Sequence, residues 1–303
     1  MSTHSEPAHR LARPGRAAAL RQITLASRPI SWINTAFPFA AAHLLTTRRV
    51  DLVLVVASFY FLIPYNLALY GINDVFDHES DLANPRKGGI EGALLAPALH
   101  RTTLWAAVVT NLPFLVFLVA VGRPAVWVAL AVSIGALIAY SAPGLRFKER
   151  PVLDSMTSAT HFVSPAVVGL ALAGGRPSPG VVLTLVAFFC WGMAAQAFGA
   201  VQDIVPDRTA GIASVATALG AGRTVRLALG LWTLAGLVML LTPWPGPLGA
   251  LLVVPYLVNA APYRRVGESS SASTNRAWRR FIALNYLAGF LATMILVMAW
   301  FVG

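Results

Sequence analysis

The sequence predicts an all-α polytopic membrane protein: a bundle of nine transmembrane helices around a central cavity that opens to the cytoplasmic side. Three observations carry that expectation. The chain of 303 residues is 57% hydrophobic and only 12% charged, about half the charged fraction of an ordinary soluble domain. Uncharged runs of membrane length recur along the whole chain and are not confined to a single anchor. The charges sit in the gaps between those runs.

The elements follow in order. Residues 1–22 are polar, basic and proline-containing. They lack the apolar core of a cleavable signal and read as a cytoplasmic tail. Arg10, Arg13, Arg16 and Arg21 suit a stretch lying on anionic headgroups. Residues 23–303 form one transmembrane domain with apolar spans near 29–46, 52–73, 102–121, 125–142, 153–173, 181–202, 224–242, 247–262 and 281–301. The first and eighth are short. The proline- and glycine-rich stretch TPWPGPLG (242–249) separates the seventh from the eighth.

Of the 23 Lys and Arg residues, only Arg48, Arg49, Arg123 and Arg176 fall in one set of loops. The rest fall in the tail and the alternate loops. The positive-inside rule then puts the N-terminus in the cytoplasm of a bacterial cell and the C-terminus outside the cell membrane. The acids are more lopsided still, with Asp51 alone on the outer side. The rule says little about acids, so a cytoplasmic site that uses carboxylates is expected. The single cysteine, Cys190, lies in an apolar run and reads as a small buried hydrophobe.

The second span ends in GINDVFDHESD (71–81). Asp74, Asp77 and Asp81 stand at i, i+3 and i+7, within roughly 60° of one another on a helix. Asn66, Tyr70 and Asn73 continue that stripe upstream. Three carboxylates on one face repel unless a cation joins them. Hard oxygen ligands with few His or Cys favour Mg²⁺, which commonly bridges a carboxylate to a phosphate oxygen. A solvated helix end is the plainer reading of this cluster taken alone. The sixth span repeats the pattern in QDIVPDRTAG, with Asp203 and Asp207 at i, i+4 and Gln196 on the same face. Two such ends on one side are hard to assign to solvation.

Basic residues accompany both clusters: Arg86 and Lys87 in NPRKGG (84–89), Arg146 and Lys148 in YSAPGLRFKERP (140–151), and Arg208. Carboxylates, Mg²⁺ and these cations make a diphosphate site. The substrate is then an amphiphile, with its diphosphate at the membrane surface and its apolar tail among the helices. Loss of diphosphate from an allylic carbon leaves a carbocation, which aromatic faces stabilise in a dry pocket. The reaction class is prenyl transfer or terpene cyclisation.

The paired motifs NDVFDHESD and DIVPD resemble the two Asp-rich motifs of the UbiA family of intramembrane prenyltransferases, over nearly the whole chain. The resemblance maps the first motif onto Asn73, Asp74, Asp77 and Asp81, and the second onto Asp203 and Asp207. It implies that these aspartates bind the donor diphosphate through Mg²⁺, and that Arg146 and Lys148 cap it with Tyr140 assisting. SRPISWINTAFPFAAAHL (27–44), NPRKGG, YSAPGLRFKERPVLDS (140–155) and DRTAGIASVATALG (207–220) look most like the carotenoid-modifying branch, the lycopene elongases. That branch adds a C5 unit from dimethylallyl diphosphate to lycopene. Gly144 departs from the Tyr-Ser-Ala-Pro-Pro that this branch tends to carry, and His161 and Pro165 mark the fifth span.

The expected enzyme is therefore a Mg²⁺-dependent prenyltransferase. Its partners are a prenyl diphosphate donor, a lipophilic acceptor (an acyclic carotenoid is favoured) and membrane lipids, with no nucleic acid. Two alternatives within the family are an aromatic or quinone-precursor acceptor, and cyclisation of a prenyl diphosphate without acceptor. An ion transporter would carry polar residues through the full membrane depth, whereas these polar seams end on one side. His43 and His161 read as neutral histidines bonded between helices. Asn259, Asn285 and Tyr286 either line a cavity or join helices.

Overall fold

A computed structural model of the protein describes residues 14–78, 82 and 94–302. Among the described residues every regular element is helical. Asp81, Arg86 and Lys87 lie outside them, as do Gly88 and Gly89.

The basic tail expected for residues 1–22 becomes helical at Arg16, as α1 (Arg16–Ala26). Next come α2 (Ile33–Thr47), α3 (Leu52–Leu62) and α4 (Pro64–Phe76). The expected second span is thus two helices, broken where Pro64 brings no N–H. Asn66 repairs the break. Its amide donates to the carbonyls of Phe61 (2.8 Å) and Leu62 (3.0 Å) and to Thr35 Oγ1 on α2 (2.7 Å). Backbone groups at membrane depth need such partners. Asn66 is therefore a structural member of the polar stripe read from the sequence.

The chain continues as α5 (His100–Val121), α6 (Pro124–Ser141), α7 (Leu153–Leu172) and α8 (Pro179–Ala200). Pro124 and Pro179 occupy first-turn positions, where a missing N–H costs nothing. Ser178 caps α8 through Val181 N. The short α9 (Ile204–Thr209) and α10 (Val215–Leu219) precede α11 (Ala221–Leu240). After the Pro/Gly turn a 3₁₀ stretch (Gly246–Val253) runs into α12 (Val254–Ala260), and α13 (Asn275–Val302) ends the described chain.

Among the described residues six helical segments are long and apolar enough to cross a membrane: Leu52–Phe76, Pro97–Val121, Pro124–Ser141, Pro179–Thr209, Ala221–Leu240 and Glu268–Val302. The other three expected spans differ for identifiable reasons. Helix α2 has only 15 residues. Helix α7 carries Asp154, Ser155, Thr157, Ser158, His161 and Ser164, which lower its hydropathy. Residues 246–260 change from 3₁₀ to α midway.

Two hydrophobic cores form. One gathers α2–α6 around Phe39, Tyr60, Phe61 and Tyr65. The other gathers α8–α13 around Trp232, Tyr256 and Phe281, and Cys190 packs against it. Helix α7 lies between them, packed on α2, α6 and α8. Its approach to α2 requires Gly169, where a Cβ would stand 2.6 Å from the Phe39 carbonyl oxygen. His43 crosses the same seam, its Nδ1 3.3 Å from the Gly169 oxygen. That is the inter-helix role expected of it. Asp51, the lone acid of the opposite loops, caps α3 through Leu54 N at 2.7 Å.

Candidate functional site

The first acidic motif sits at the end of α4. Helix α4 stops at Phe76, and Asp77 is its C-cap, with Asp77 N bonded to the Asn73 carbonyl at 2.9 Å. Asn73, Asp74 and Asp77 thus share the final turn. Helix α4 ends at Phe76, and Asp81 lies outside the described residues.

The loop between α6 and α7 returns to this turn. Gly144 takes φ +87°, a left-handed backbone that proline cannot adopt, which explains glycine in place of proline here. Arg146 is also left-handed (φ 40°) and begins the 3₁₀ turn Phe147–Glu149. The turn delivers Lys148 onto the Asp77 carboxylate and to 3.4 Å from Asn73 Oδ1. Arg146 Nη2 lies 3.9 Å from the same Asp77 oxygen and pairs with Glu149. Ser141 Oγ donates to Asn73 Oδ1 at 2.9 Å, locking the amide's orientation. Burial pushes the Lys148 ammonium down to about 8, opposed by the carboxylates of Glu149 and Asp74.

Asp74, one turn earlier, is buried and faces Arg28 at 3.2 Å. The Arg28 guanidinium lies 4.4 Å above the Tyr70 ring. Arg28 lies in the segment SRPISWINTAFPFAAAHL, but the sequence reading gave it no role at the acidic motif. An arginine directly before an apolar span was the available signal. Tyr140 has Asp154, Arg28 and Tyr70 as electrostatic neighbours and meets His161 edge to face at 5.1 Å. Tyr70 and Tyr140 are both half-buried. His161 thus joins α7 to α6, as expected. His78 meets the ring of His100 at 4.8 Å.

The second acidic pair also sits at a helix end. Asp203 closes the 3₁₀ turn Val201–Asp203, and Asp207 lies within α9. Both are half-buried. Arg208 pairs with Glu268 and donates to the Thr217 carbonyl at 2.9 Å. Glu268 is thus the acid that Arg208 meets among the described residues. Gln196, on the face of α8 leading to Asp203, accepts from Ser158 at 3.1 Å.

Asp154 is a further acid that motif reading passed over. It is fully buried at the start of α7. Its Oδ2 accepts from Val215 N at 2.8 Å, at the first turn of α10, and its Oδ1 from Ser155 N at 2.7 Å. One carboxylate thereby ties the α6–α7 basic loop to the segment that follows Asp207.

Among the described residues no group of three or more His, Cys, Asp or Glu side chains is close enough to hold a metal ion. Cations of the protein occupy the carboxylates instead: Arg28 at Asp74, Lys148 and Arg146 at Asp77. The donor set nevertheless suits Mg²⁺. Asn73, Asp74 and Asp77 offer hard oxygens from a single turn, with protein cations placed to bind an anion beside the ion.

The UbiA prenyltransferase family model matches residues 35–288. The C(50) beta-cyclic carotenoids biosynthesis protein LbtBC of Dietzia sp. is 52% identical over 292 residues, covering 95% of this chain and 68% of the relative. A lycopene elongase/hydratase of Corynebacterium glutamicum is 47% identical over 278 residues, covering 92% of this chain and 97% of the relative. Among solved structures, a UbiA homolog from Archaeoglobus fulgidus bound to DMAPP and Mg²⁺ has a TM-score of 0.62 at 19% identity, covering 88% of this chain and 98% of that one. That likeness concerns the fold.

Proposed function

The chain belongs to the UbiA prenyltransferase family and is an integral membrane prenyltransferase; from that premise we propose that it elongates an acyclic carotenoid such as lycopene with the C5 group of dimethylallyl diphosphate. The observation that carries the reading is the convergence of Lys148 and Arg146 on Asp77 and Asn73, across some seventy residues of sequence. Carboxylates and cations meet there, beside two tyrosines and between apolar helices. The names of the Dietzia and Corynebacterium relatives support a carotenoid acceptor, and the Mg²⁺ and DMAPP of the Archaeoglobus structure support the metal and the donor.

Asp74, Asp77, Asp81, Asp203 and Asp207 would hold Mg²⁺, with Asn73 beside them. When bound, the ion neutralises the diphosphate and makes it a better leaving group. Lys148 and Arg146, with Arg86 and Lys87, bind the diphosphate oxygens and keep them oriented as the C–O bond breaks. Arg28 supplies a counter-charge to the buried Asp74. The faces of Tyr70 and Tyr140 stabilise the allylic cation, and the apolar helices exclude water. The terminal double bond of the carotenoid attacks the cation, a C–C bond forms, and a proton leaves the adduct. Nine crossings follow if α2, α7 and residues 246–260 also pass through the bilayer. The N-terminus is then cytoplasmic and the C-terminus outside, with residues 23–303 as one domain.

The test is product analysis after co-expression in a lycopene-producing bacterium, with Asp77→Ala as control. Pigments with one or two added C5 units, absent in the control, are expected. Unchanged lycopene from the membrane-inserted wild type would remove the carotenoid assignment, and diphosphate release without any acceptor would turn the reading toward cyclisation.

A further inference from the structure

The first turns of α13 break two local rules at once. Arg276, Arg279 and Arg280 crowd the N-terminal end of a 28-residue helix with no acid in its first turn, although the helix dipole favours acids there. Arg276 and Arg280 are like charges at i, i+4, which is also unfavourable. Among the described residues no ion pair or side-chain hydrogen bond engages any of the three. The last acid in the sequence, Glu268, is held by Arg208. Such an arrangement is stable when an external anion completes it.

A receptacle is present. The three arginines line a cleft of about 620 Å³ together with Tyr263, Ser273 and Asn275. Its depth follows from the sequence: the cleft lies where the uncharged run 281–301 begins, at the level of lipid headgroups. Asn275 donates to Gln202 Oε1 at 2.7 Å, so the cleft adjoins the turn that carries Asp203. Arginine forks match phosphate oxygens, and the apolar outer face of α13, with Tyr286, Leu287 and Phe290 exposed, offers a surface for acyl chains.

We propose that this cleft is a binding site for the phosphate headgroup of an anionic phospholipid. None of the residues assigned to the donor diphosphate lines this cleft, and a headgroup bound there would hold the α13 end of the bundle beside the second acidic segment. The shared chemistry is a phosphate oxyanion, so a soluble phosphate is the competing source.

The test uses the full-length protein in neutral detergent. Phosphatidylglycerol and phosphatidylcholine are titrated separately and bound lipid is counted by native mass spectrometry, with inorganic phosphate and diphosphate as further arms. The wild type is expected to bind phosphatidylglycerol in preference to phosphatidylcholine. Each arginine removed should weaken that binding about fivefold, so Arg279→Gln with Arg280→Gln should weaken it about thirtyfold. Phosphatidylcholine binding should be unchanged. Both side chains are exposed, so the fold tolerates the exchange, and an unchanged gel-filtration profile checks it. Equal affinity for the two lipids, or preference intact in the double variant, overturns the proposal. So does saturable binding of inorganic phosphate or diphosphate that the variant loses while lipid binding persists.

Discussion

Arg28 Nη2 stands 3.2 Å from Asp74 Oδ1, joining the turn before α2 to the acidic end of α4. The carboxylate is almost wholly buried, and the guanidinium is partly shielded above Tyr70. A buried acid with its counter-charge removed is driven toward the neutral form. Arg28→Ala should therefore lower kcat/KM by about 10²-fold or more, and Arg28→Lys should recover part of it. Steady-state kinetics on membranes with matched protein levels measure this. Wild-type activity in the alanine variant would show that Arg28 only fastens helices.

Lys148 and Asp77 act on one group if the site is built as described. Lys148→Met is expected to reduce turnover by about 10²–10³-fold, the range for removing a charge-stabilising group. Combined with Asp77→Ala, the double variant should lose little more than the worse single one, because the two share an interaction. Losses that multiply would place the residues in separate steps.

Removal of divalent metal should abolish diphosphate release, and Mg²⁺ should restore it. Asp74→Ala and Asp203→Ala should be inactive at any Mg²⁺ concentration while still inserting and running as folded protein in gel filtration. Undiminished turnover in both variants, or in chelator, would remove the metal from the mechanism.

Asp154 tests a structural link. Asp154→Ala leaves the buried Val215 N–H without its acceptor, at a cost of about 1–3 kcal/mol. Asp154→Asn keeps an oxygen in place and should cost less. Thermal unfolding in detergent compares them. If the segment carrying Asp203 and Asp207 is held by this bond, the alanine variant should also need more Mg²⁺ for half-maximal activity. An unchanged Mg²⁺ requirement would confine Asp154 to stability.

The membrane character was legible because it depends on composition and run length, which no packing alters. The acid motifs were legible because a helical period brings Asp74 and Asp77 to one turn, and that turn is present. Arg208 was read by adjacency to Asp207, and its pairing with Glu268, sixty residues on, could not be read from adjacency. Asn66 was read as part of a functional stripe, but the break at Pro64 requires its amide.

The hydrophobic period and the scarcity of charge suffice to specify helices in a bilayer, and the spacing of Asn73, Asp74 and Asp77 suffices to put them on one helical turn. These are local properties, repeated every few residues. Which cation meets which carboxylate is decided by contacts between distant segments: Arg28 with Asp74, Lys148 with Asp77, Asp154 with Val215. No period encodes those pairings. They arise because α7 must pack on α2, α6 and α8 together, and that packing sets the α6–α7 loop over one acidic turn and pins the segment after the other.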